Sequence, residues 1–283
     1  MGSTRRKPRR GDRYDADRIH LSQTFNGIFP YLMRGRNESI AYFPITFDME
    51  NMLAYLEARK GTDQAISLFE AMMLALVAVL RQRPGLNRYV IGRRVYQRRD
   101  VVLSFVAKRE FSDDGEETNV LVTIHPEDDR ATILSKLRGE IDHAKRGEPK
   151  KDDQVIASFL RLPRWALRVA VKALDTYDFY RDTPGFLRGV DPLRCSAYVA
   201  NLGSVGINAP YHHLFEWGTC SLFVAIGRVG PQVCVGDDGQ PAVRQMVRWR
   251  ASLDERIADG FYAARSLDLI DEYMRNPELL ESM

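Results

Sequence analysis

The sequence is poor in residues that build covalent or metal cross-links. Its three cysteines, Cys195, Cys220 and Cys234, are widely spaced, which excludes a disulfide framework and a paired-cysteine metal site. The longest strongly apolar run covers residues 71–80, whereas a membrane-spanning helix needs about 20 residues. Lysine and arginine number 41 against 38 acidic residues, and the two signs are mixed along the chain. We therefore expect a cytoplasmic protein with no metal and no nucleic-acid partner.

One segment departs from this even charge distribution. The N-terminal stretch Thr4–Arg10 reads TRRKPRR and is followed by no apolar run, which excludes a secretory signal. We predict a basic, disordered tail over residues 1–20 and a single domain over residues 21–283, because a hydrophobic fraction of 45% is ample for one large core. The alternative role for the tail is electrostatic contact with an acidic protein or with anionic lipid.

The patterns along the chain predict a mixed α+β fold. Strong helix signals are a capping box at Ser67–Glu70, an apolar stretch after it, and a final helix over residues 260–275 that stops before Pro277. Alternating β-branched and aromatic residues predict strands over residues 39–48, 89–98, 101–111, 119–124, 196–201, 220–226, 231–235 and 243–253. The absence of a strict βαβ rhythm favours a two-layer α/β arrangement, in which helices cover one face of a mixed sheet.

A helical insertion is predicted at about residues 150–194. Its helical part, residues 154–180, is interrupted at Pro163 and carries basic residues beside an apolar face. One interpretation is a helix that packs on its own domain or on another subunit. The alternative is an interfacial membrane helix, because basic residues flank the apolar face. The predicted apolar face consists of Phe159, Leu162, Trp165, Ala166, Val169, Ala170 and Leu174.

Three motifs occur in a fixed order: residues 67–87 (SLFEAMMLALVAVLRQRPGLN), residues 200–206 (ANLGSVG) and residues 254–267 (DERIADGFYAARSL). Together they closely resemble the catalytic domain of the dihydrolipoyl acyltransferases of 2-oxoacid dehydrogenase complexes, in the chloramphenicol-acetyltransferase-like superfamily. The resemblance implies a homotrimer with active sites between subunits, coenzyme A as substrate or ligand, and an acyl-CoA or other thioester as partner. It implies no lipoyl attachment in this chain.

The resemblance also implies site residues. Glu255 aligns with the histidine that is the general base in that family, and Ala200 aligns with a hydroxyl residue that stabilises the oxyanion. The substrate-binding residues would be Ala200, Asn201, Gly203, Ser204, Gly206, Arg256 and Gly260. Gly203, Gly206, Asp259 and Gly260 would preserve the backbone frame of the site. Asp259 would orient the site loop through an arginine, for which Arg256 is a candidate. On the resemblance, the family's usual arginine position falls at Tyr31.

The two departures weaken the family mechanism. A thiol has a pKa near ~8.5 and a free glutamate near ~4.3, so proton transfer to Glu255 is uphill by about four units, or roughly 6 kcal/mol. A histidine leaves a gap of about two units. Ala200 has no hydroxyl, and loss of one oxyanion donor costs about 3–4 kcal/mol of barrier. We therefore do not expect this chain to transfer acyl groups efficiently by the family mechanism.

Two histidines elsewhere in the chain are candidates to replace the missing catalytic base. His212 and His213 follow the glycine turn, in a segment that lines the acceptor pocket in the related fold. They are candidate catalytic residues, and the alternative is that both are ordinary loop histidines. Three functions stay open: an enzyme acting on acyl thioesters with non-standard residues, a catalytically inactive module that binds CoA or a thioester, and a scaffold that docks on a partner or membrane.

Overall fold

A computed structural model describes residues 11–20, 25–108, 117–146, 159–236 and 238–283. Its centre is a six-stranded mixed sheet in the order β2-β9-β8-β7-β5-β6. The strand β7 runs parallel to both of its neighbours, and the other pairs are antiparallel. The strands are β2 (Ile40–Asp48), β5 (Val101–Lys108), β6 (Glu117–Ile124), β7 (Ala197–Asn201), β8 (Leu222–Val235) and β9 (Pro241–Asp254).

Helices cover one face of this sheet. They are α2 (Glu50–Ala58), α3 (Leu68–Gln82), α4 (Arg130–Arg146) and α6 (Gly260–Arg275), after a short α1 (Phe29–Leu32). Side chains from these four helices and from the facing side of the strands form the large hydrophobic core. The helix α3 is its centre, because residues 70–80 are all buried. The predicted fold class, a mixed sheet with helices on one face, is confirmed.

The predicted capping box begins α3. Ser67 Oγ accepts a hydrogen bond from the Glu70 backbone N–H at 3.2 Å, and the Glu70 carboxylate accepts one from the Ser67 N–H at 2.6 Å. The carboxylate also binds the Arg138 guanidinium of α4 at 2.5 Å. The predicted boundaries of α6 are also confirmed. At the start of α4, Asp129 Oδ1 accepts a hydrogen bond from the Thr132 N–H at 2.8 Å.

The strand predicted over residues 89–98 is wrong in one respect. It is a hairpin of β3 (Arg88–Ile91) and β4 (Arg94–Arg98), because Gly92 and Arg93 turn the chain with φ of 59° and 58°. These strands join β1 (Ala16–Ile19) in a second sheet of order β1-β4-β3, so β4 and β5 are not sheet neighbours. Residues 220–226 and 231–235 form one long strand, β8, with an irregularity between Ile226 and Val229.

The insertion contains one long helix, α5 (Arg164–Tyr180), which begins directly after Pro163. Its predicted apolar face is split. Ala166, Ala170 and Leu174 are partly covered, whereas Trp165 and Val169 are exposed. Within the described ranges, no helix combines the length and hydropathy needed to cross a membrane. Of the tail predicted over residues 1–20, residues 1–10 lie outside the described residues, whereas residues 16–19 form β1 and Arg13 is 5% exposed. Residues 150–158 of the predicted insertion also lie outside the described residues.

Candidate active site

The turn after β9 is built on a buried ion pair. Asp254 is fully buried, and its two carboxylate oxygens accept hydrogen bonds from Arg256 Nε at 2.8 Å and Nη2 at 2.7 Å. Ser39 Oγ donates to the same carboxylate at 3.0 Å, and the Ser39 carbonyl accepts from the Glu255 N–H at 2.9 Å. Two-point contact between a carboxylate and a guanidinium fixes direction as well as distance. The backbone that carries Glu255 is therefore held rigidly.

Glu255 itself is the loose element of this turn. Its side chain is half-buried, and across the described part of the chain its carboxylate has no hydrogen-bond or ion-pair partner. A carboxylate has about four lone-pair positions to satisfy. The structure therefore leaves Glu255 available to a ligand or to another subunit, at a fixed backbone position.

Asp259 has a different role from the arginine contact considered above. Its Oδ1 accepts a hydrogen bond from the Tyr262 N–H at 2.8 Å, so Asp259 is the N-cap of α6 and Gly260 is the first helical residue. Arg256 pairs with Asp254 instead, because Asp254 is buried beside it while Asp259 is exposed. The candidate pairing of Arg256 with Asp259 is therefore not formed.

A second buried arginine holds the loop that faces this turn. Arg36 is 4% exposed, and its Nη atoms donate to the carbonyls of Phe215, Glu216, Val90 and Gly218 at 2.6–3.3 Å. Burial lowers the pKa of this guanidinium, and Asp254 opposes that effect. Sequence reasoning missed Arg36, although it lies five residues after Tyr31 and is the buried arginine near the site acid.

The turn at residues 200–206 follows β7. Ala200 is in register with Ala225 of β8, and Asn201 ends the strand. A Cβ at Gly203 would lie 2.5 Å from the Gly227 carbonyl oxygen, so only glycine fits there. Gly206 has φ of 80°, a left-handed conformation that favours glycine. Ser204 Oγ donates to the Asn201 carbonyl at 2.7 Å. The glycines of the motif shape the turn, and Ala200 offers no donor.

The two histidines lie on the sheet face opposite the helices. The His212 ring stacks on Phe223 with centroids 3.9 Å apart, and the His213 ring stacks on His212 at 4.7 Å. The Ser252 hydroxyl donates to the His212 carbonyl and so fixes the backbone above β9. Phe223, Ser252 and Tyr42 are in register across three strands of this face.

The hydrogen bonds of the rings define their tautomers. His212 Nδ1 lies 2.7 Å from the His213 carbonyl oxygen, and His213 Nδ1 lies 2.9 Å from the Leu214 carbonyl oxygen. A carbonyl oxygen can only accept, so each Nδ1 carries the hydrogen. In the neutral ring, Nε2 then holds the lone pair. Both rings present the nitrogen that a general base uses, and neither Nε2 has a hydrogen-bond partner among the described residues.

Burial against Phe223 lowers the pKa of His212, because the apolar surroundings disfavour the imidazolium. We expect an NMR titration to give a midpoint below the ordinary ~6.5. The folded-state pKa is depressed, so the stability contributed by neutral His212 is present above pH ~6.5 and is lost as pH falls through the folded pKa. Phe223→Ala should raise the midpoint; an unchanged midpoint would contradict the assigned cause.

The structure brings Ala200 and the histidines to one face but leaves Glu255 apart from them within one chain. His212 contacts Ser252, and Glu255 is three residues further along β9, which is roughly 10 Å of extended chain. In the described part of the chain, no hydrogen bond joins Glu255 to either imidazole. A single subunit therefore presents two separate groups: a carboxylate directly after the end of β9, and an imidazole pair over Phe223 of β8.

Comparison of the fold with solved structures places it in a known class. A probable dihydrolipoamide acetyltransferase from Listeria monocytogenes 4b F2365 superimposes with a TM-score of 0.59, at 15% identity, over 90% of this chain and 94% of that chain. A truncated catalytic core of the 2-oxoacid dehydrogenase multienzyme complex from Thermoplasma acidophilum gives 0.53, at 15% identity, over 92% and 99%. A chloramphenicol acetyltransferase gives 0.54, at 10% identity, over 92% and 99%. The chain has the chloramphenicol-acetyltransferase-like fold.

Sequence comparison is more specific for the C-terminal part. Residues 194–281 match the family model described as 2-oxoacid dehydrogenases acyltransferase (catalytic domain). No curated protein matches the chain. The resemblance inferred from the three motifs is thus confirmed, and the protein has an acyltransferase fold related to these catalytic domains.

Proposed function

We propose that this protein is an acyltransferase that acts on acyl thioesters, with an imidazole of the His212–His213 pair as general base. The observation that carries the proposal is the tautomer of the two rings. Each donates Nδ1–H to a backbone carbonyl and keeps Nε2 free on an open sheet face. A neutral imidazole is a better match to a thiol than a carboxylate is, because the ordinary pKa of an imidazole lies about two units below that of a thiol and the ordinary pKa of a carboxylate about four. Burial lowers the pKa of His212 and widens its gap to the thiol.

The chemical step balances without any further reagent. Nε2 takes the proton of the acceptor thiol, and the thiolate attacks the thioester carbonyl. The tetrahedral intermediate then breaks its bond to the leaving sulfur, and the imidazolium returns the proton to that thiolate. Coenzyme A is the thiol that the family resemblance implies, as donor product or as acceptor. The step needs no metal.

The role that we propose for Glu255 depends on assembly of several subunits. The carboxylate is unpaired, while its backbone is fixed by Asp254 and Arg256. We propose a homotrimer in which the Glu255 of one subunit faces the imidazole pair of the next. There the carboxylate would stabilise the imidazolium that forms during proton transfer, which is a role that suits a low pKa.

Thiol release from a panel of acyl-CoA thioesters tests this function. We expect measurable turnover, and we expect His212→Asn or His213→Asn to lower kcat by about 10²-fold. That figure is the lower end of the range for loss of a base, because one ring of the pair remains in each variant. Glu255→Gln should lower kcat while the unfolding midpoint stays the same. Absence of turnover across the whole panel would overturn the proposal.

Mixed assemblies test the trimer. In this scheme Glu255→Gln subunits have a lowered kcat, and His212→Asn/His213→Asn subunits are inactive. When the two variants are unfolded together and refolded, mixed trimers contain interfaces with both groups intact. Recovery of activity supports a site shared between subunits; no recovery in assemblies verified as mixed contradicts it.

A second function is favoured by one observation, the missing hydroxyl at Ala200. A module that binds CoA or a thioester without processing it needs the turn and not the oxyanion donor. Calorimetry separates the two functions: binding of CoA by a protein with no turnover supports the binding module. If millimolar CoA gives no measurable heat and no thermal shift, the binding module is ruled out.

A further inference from the structure

The helix α5 is held to the body by a narrow stripe and leaves its other sides uncovered. The partly covered positions are Ala166, Leu167, Ala170 and Leu174, and Asp178 is buried. The large apolar residues on the side turned away from the body are 61–72% exposed: Trp165, Val169 and Tyr180. This helix therefore presents to solvent the kind of side chains that most helices bury.

The exposed residues form an ordered surface. At 100° per residue, Trp165, Val169, Thr176 and Tyr180 lie within about 60° of one another around the helix axis. A basic edge runs along one side of this stripe. It consists of Arg161, Arg164, Arg168 and Lys172, all exposed, and Asp175 is the acidic residue among them. We call these stripe and edge residues together the α5 surface.

A buried ion cluster fixes the orientation of the α5 surface. Asp178 on the inner side of the helix binds both Arg13 and Arg194, and all three are nearly inaccessible to solvent. Arg13 also donates to the carbonyls of Asp178 and Arg181 at the end of the helix. The helix cannot rotate to bury its apolar stripe without breaking this cluster.

We propose that the α5 surface docks the protein on an anionic membrane, with the helix lying in the plane of the lipid headgroups. The apolar stripe enters the boundary between headgroups and acyl chains, where tryptophan and tyrosine are favoured because each has an apolar ring and a polar atom. The basic edge meets the anionic headgroups, and each cation near such a surface strengthens binding about five-fold.

Charge argues for lipid rather than for two-fold pairing with a second copy of the chain. Two-fold pairing through the α5 surface would bring two identical basic edges together, four cations facing four with one acid on each side. An anionic bilayer offers the opposite sign across the whole edge. This inference does not depend on the proposed acyl transfer.

Vesicle flotation tests the inference with the full chain. We expect it to float with vesicles of phosphatidylcholine and phosphatidylserine but not with phosphatidylcholine alone, and less at high salt. Arg164→Gln/Arg168→Gln should weaken binding about 25-fold, since two cations are removed. Trp165→Ala should weaken it about ten-fold. Matched controls on α6 are Arg265→Gln and Phe261→Ser, both exposed and far from α5 in sequence, and neither should alter binding.

Tryptophan fluorescence gives an independent readout. Of the three tryptophans, Trp165 is 72% exposed, Trp217 is partly buried and bonded to Asp191, and Trp249 is 1% exposed, so a blue shift on adding anionic vesicles should come from Trp165 and disappear in Trp165→Phe. Three results would each overturn the inference: equal binding to both vesicle types, loss of all binding on deleting residues 1–10 alone, or a change of oligomeric state in Trp165→Ala. The last result would identify the α5 surface as a contact between protein chains.

Discussion

Replacing Asp178 by alanine should lower the free energy of unfolding by about 3–5 kcal/mol. The carboxylate is 4% exposed and is shared by two buried guanidinium groups, Arg13 and Arg194. Thr183 Oγ1 donates to it at 3.2 Å and accepts from Arg194 Nη1 at 3.0 Å. Removing the acid leaves two cations in the protein interior with weaker compensation, because Arg194 keeps Asp191 at 3.2 Å and Arg13 keeps the partly exposed Asp182 at 3.6 Å, but both lose the buried carboxylate that they share.

Urea unfolding measures this loss. The control is Asp268→Ala, which removes an exposed acid paired with Arg265 at 3.4 Å and should change the free energy by less than about 0.5 kcal/mol. Asp178→Asn keeps the shape and tests charge alone, and it should fall close to the alanine variant. A loss below about 1 kcal/mol in Asp178→Ala would mean that water reaches the cluster and supplies what the carboxylate supplied.

Local signals in the sequence predicted local structure well. The capping box at Ser67 and Glu70 forms as expected, and the fully apolar stretch after it becomes the buried central helix. The motif over residues 254–267 contains both the turn and the start of α6. In each case the interacting groups are within a few residues of one another, so spacing alone specifies the contact.

Contacts between distant parts of the chain could not be predicted in this way. Arg13 and Asp178 are 165 residues apart, and Arg36 binds carbonyls about 180 residues further on. Backbone carbonyls are present at every position and carry no signature in the sequence. The one helical segment whose apolar face was predicted as continuous is divided, because Asp178 determines which side of α5 is turned inward.

The tautomers of the two histidines also could not be predicted from the sequence. The sequence shows two adjacent imidazoles, which are as consistent with an idle loop as with a base. The backbone carbonyls that accept from Nδ1 assign the proton, and the stack on Phe223 determines the pKa direction. The proposed exchange of roles follows from these contacts: an imidazole becomes the base, and the carboxylate of Glu255 becomes its electrostatic partner.

Replacing Ala200 by serine should raise kcat for acyl transfer by about 10²-fold. Loss of one oxyanion donor costs an acyltransferase about 10²–10³ in rate, and the chain has an alanine where the resemblance implies a hydroxyl. Ala200 is half-buried at the end of β7, and Gly203 and Gly206 shape the turn after it. The expected gain is at the lower end, because the surrounding residues are not arranged to orient a hydroxyl.

A matched pair of variants separates the hydroxyl from the size of the side chain. Ala200→Thr and Ala200→Val differ by a hydroxyl in place of a methyl, so only the threonine variant should share the gain. Combining Ala200→Ser with His212→Asn/His213→Asn should abolish the gain, since an oxyanion forms only after the thiol has lost its proton. Equal rates for Ala200→Ser, Ala200→Val and the wild type would show that position 200 does not face the reacting carbonyl. A gain that survives loss of both imidazoles would assign the base elsewhere.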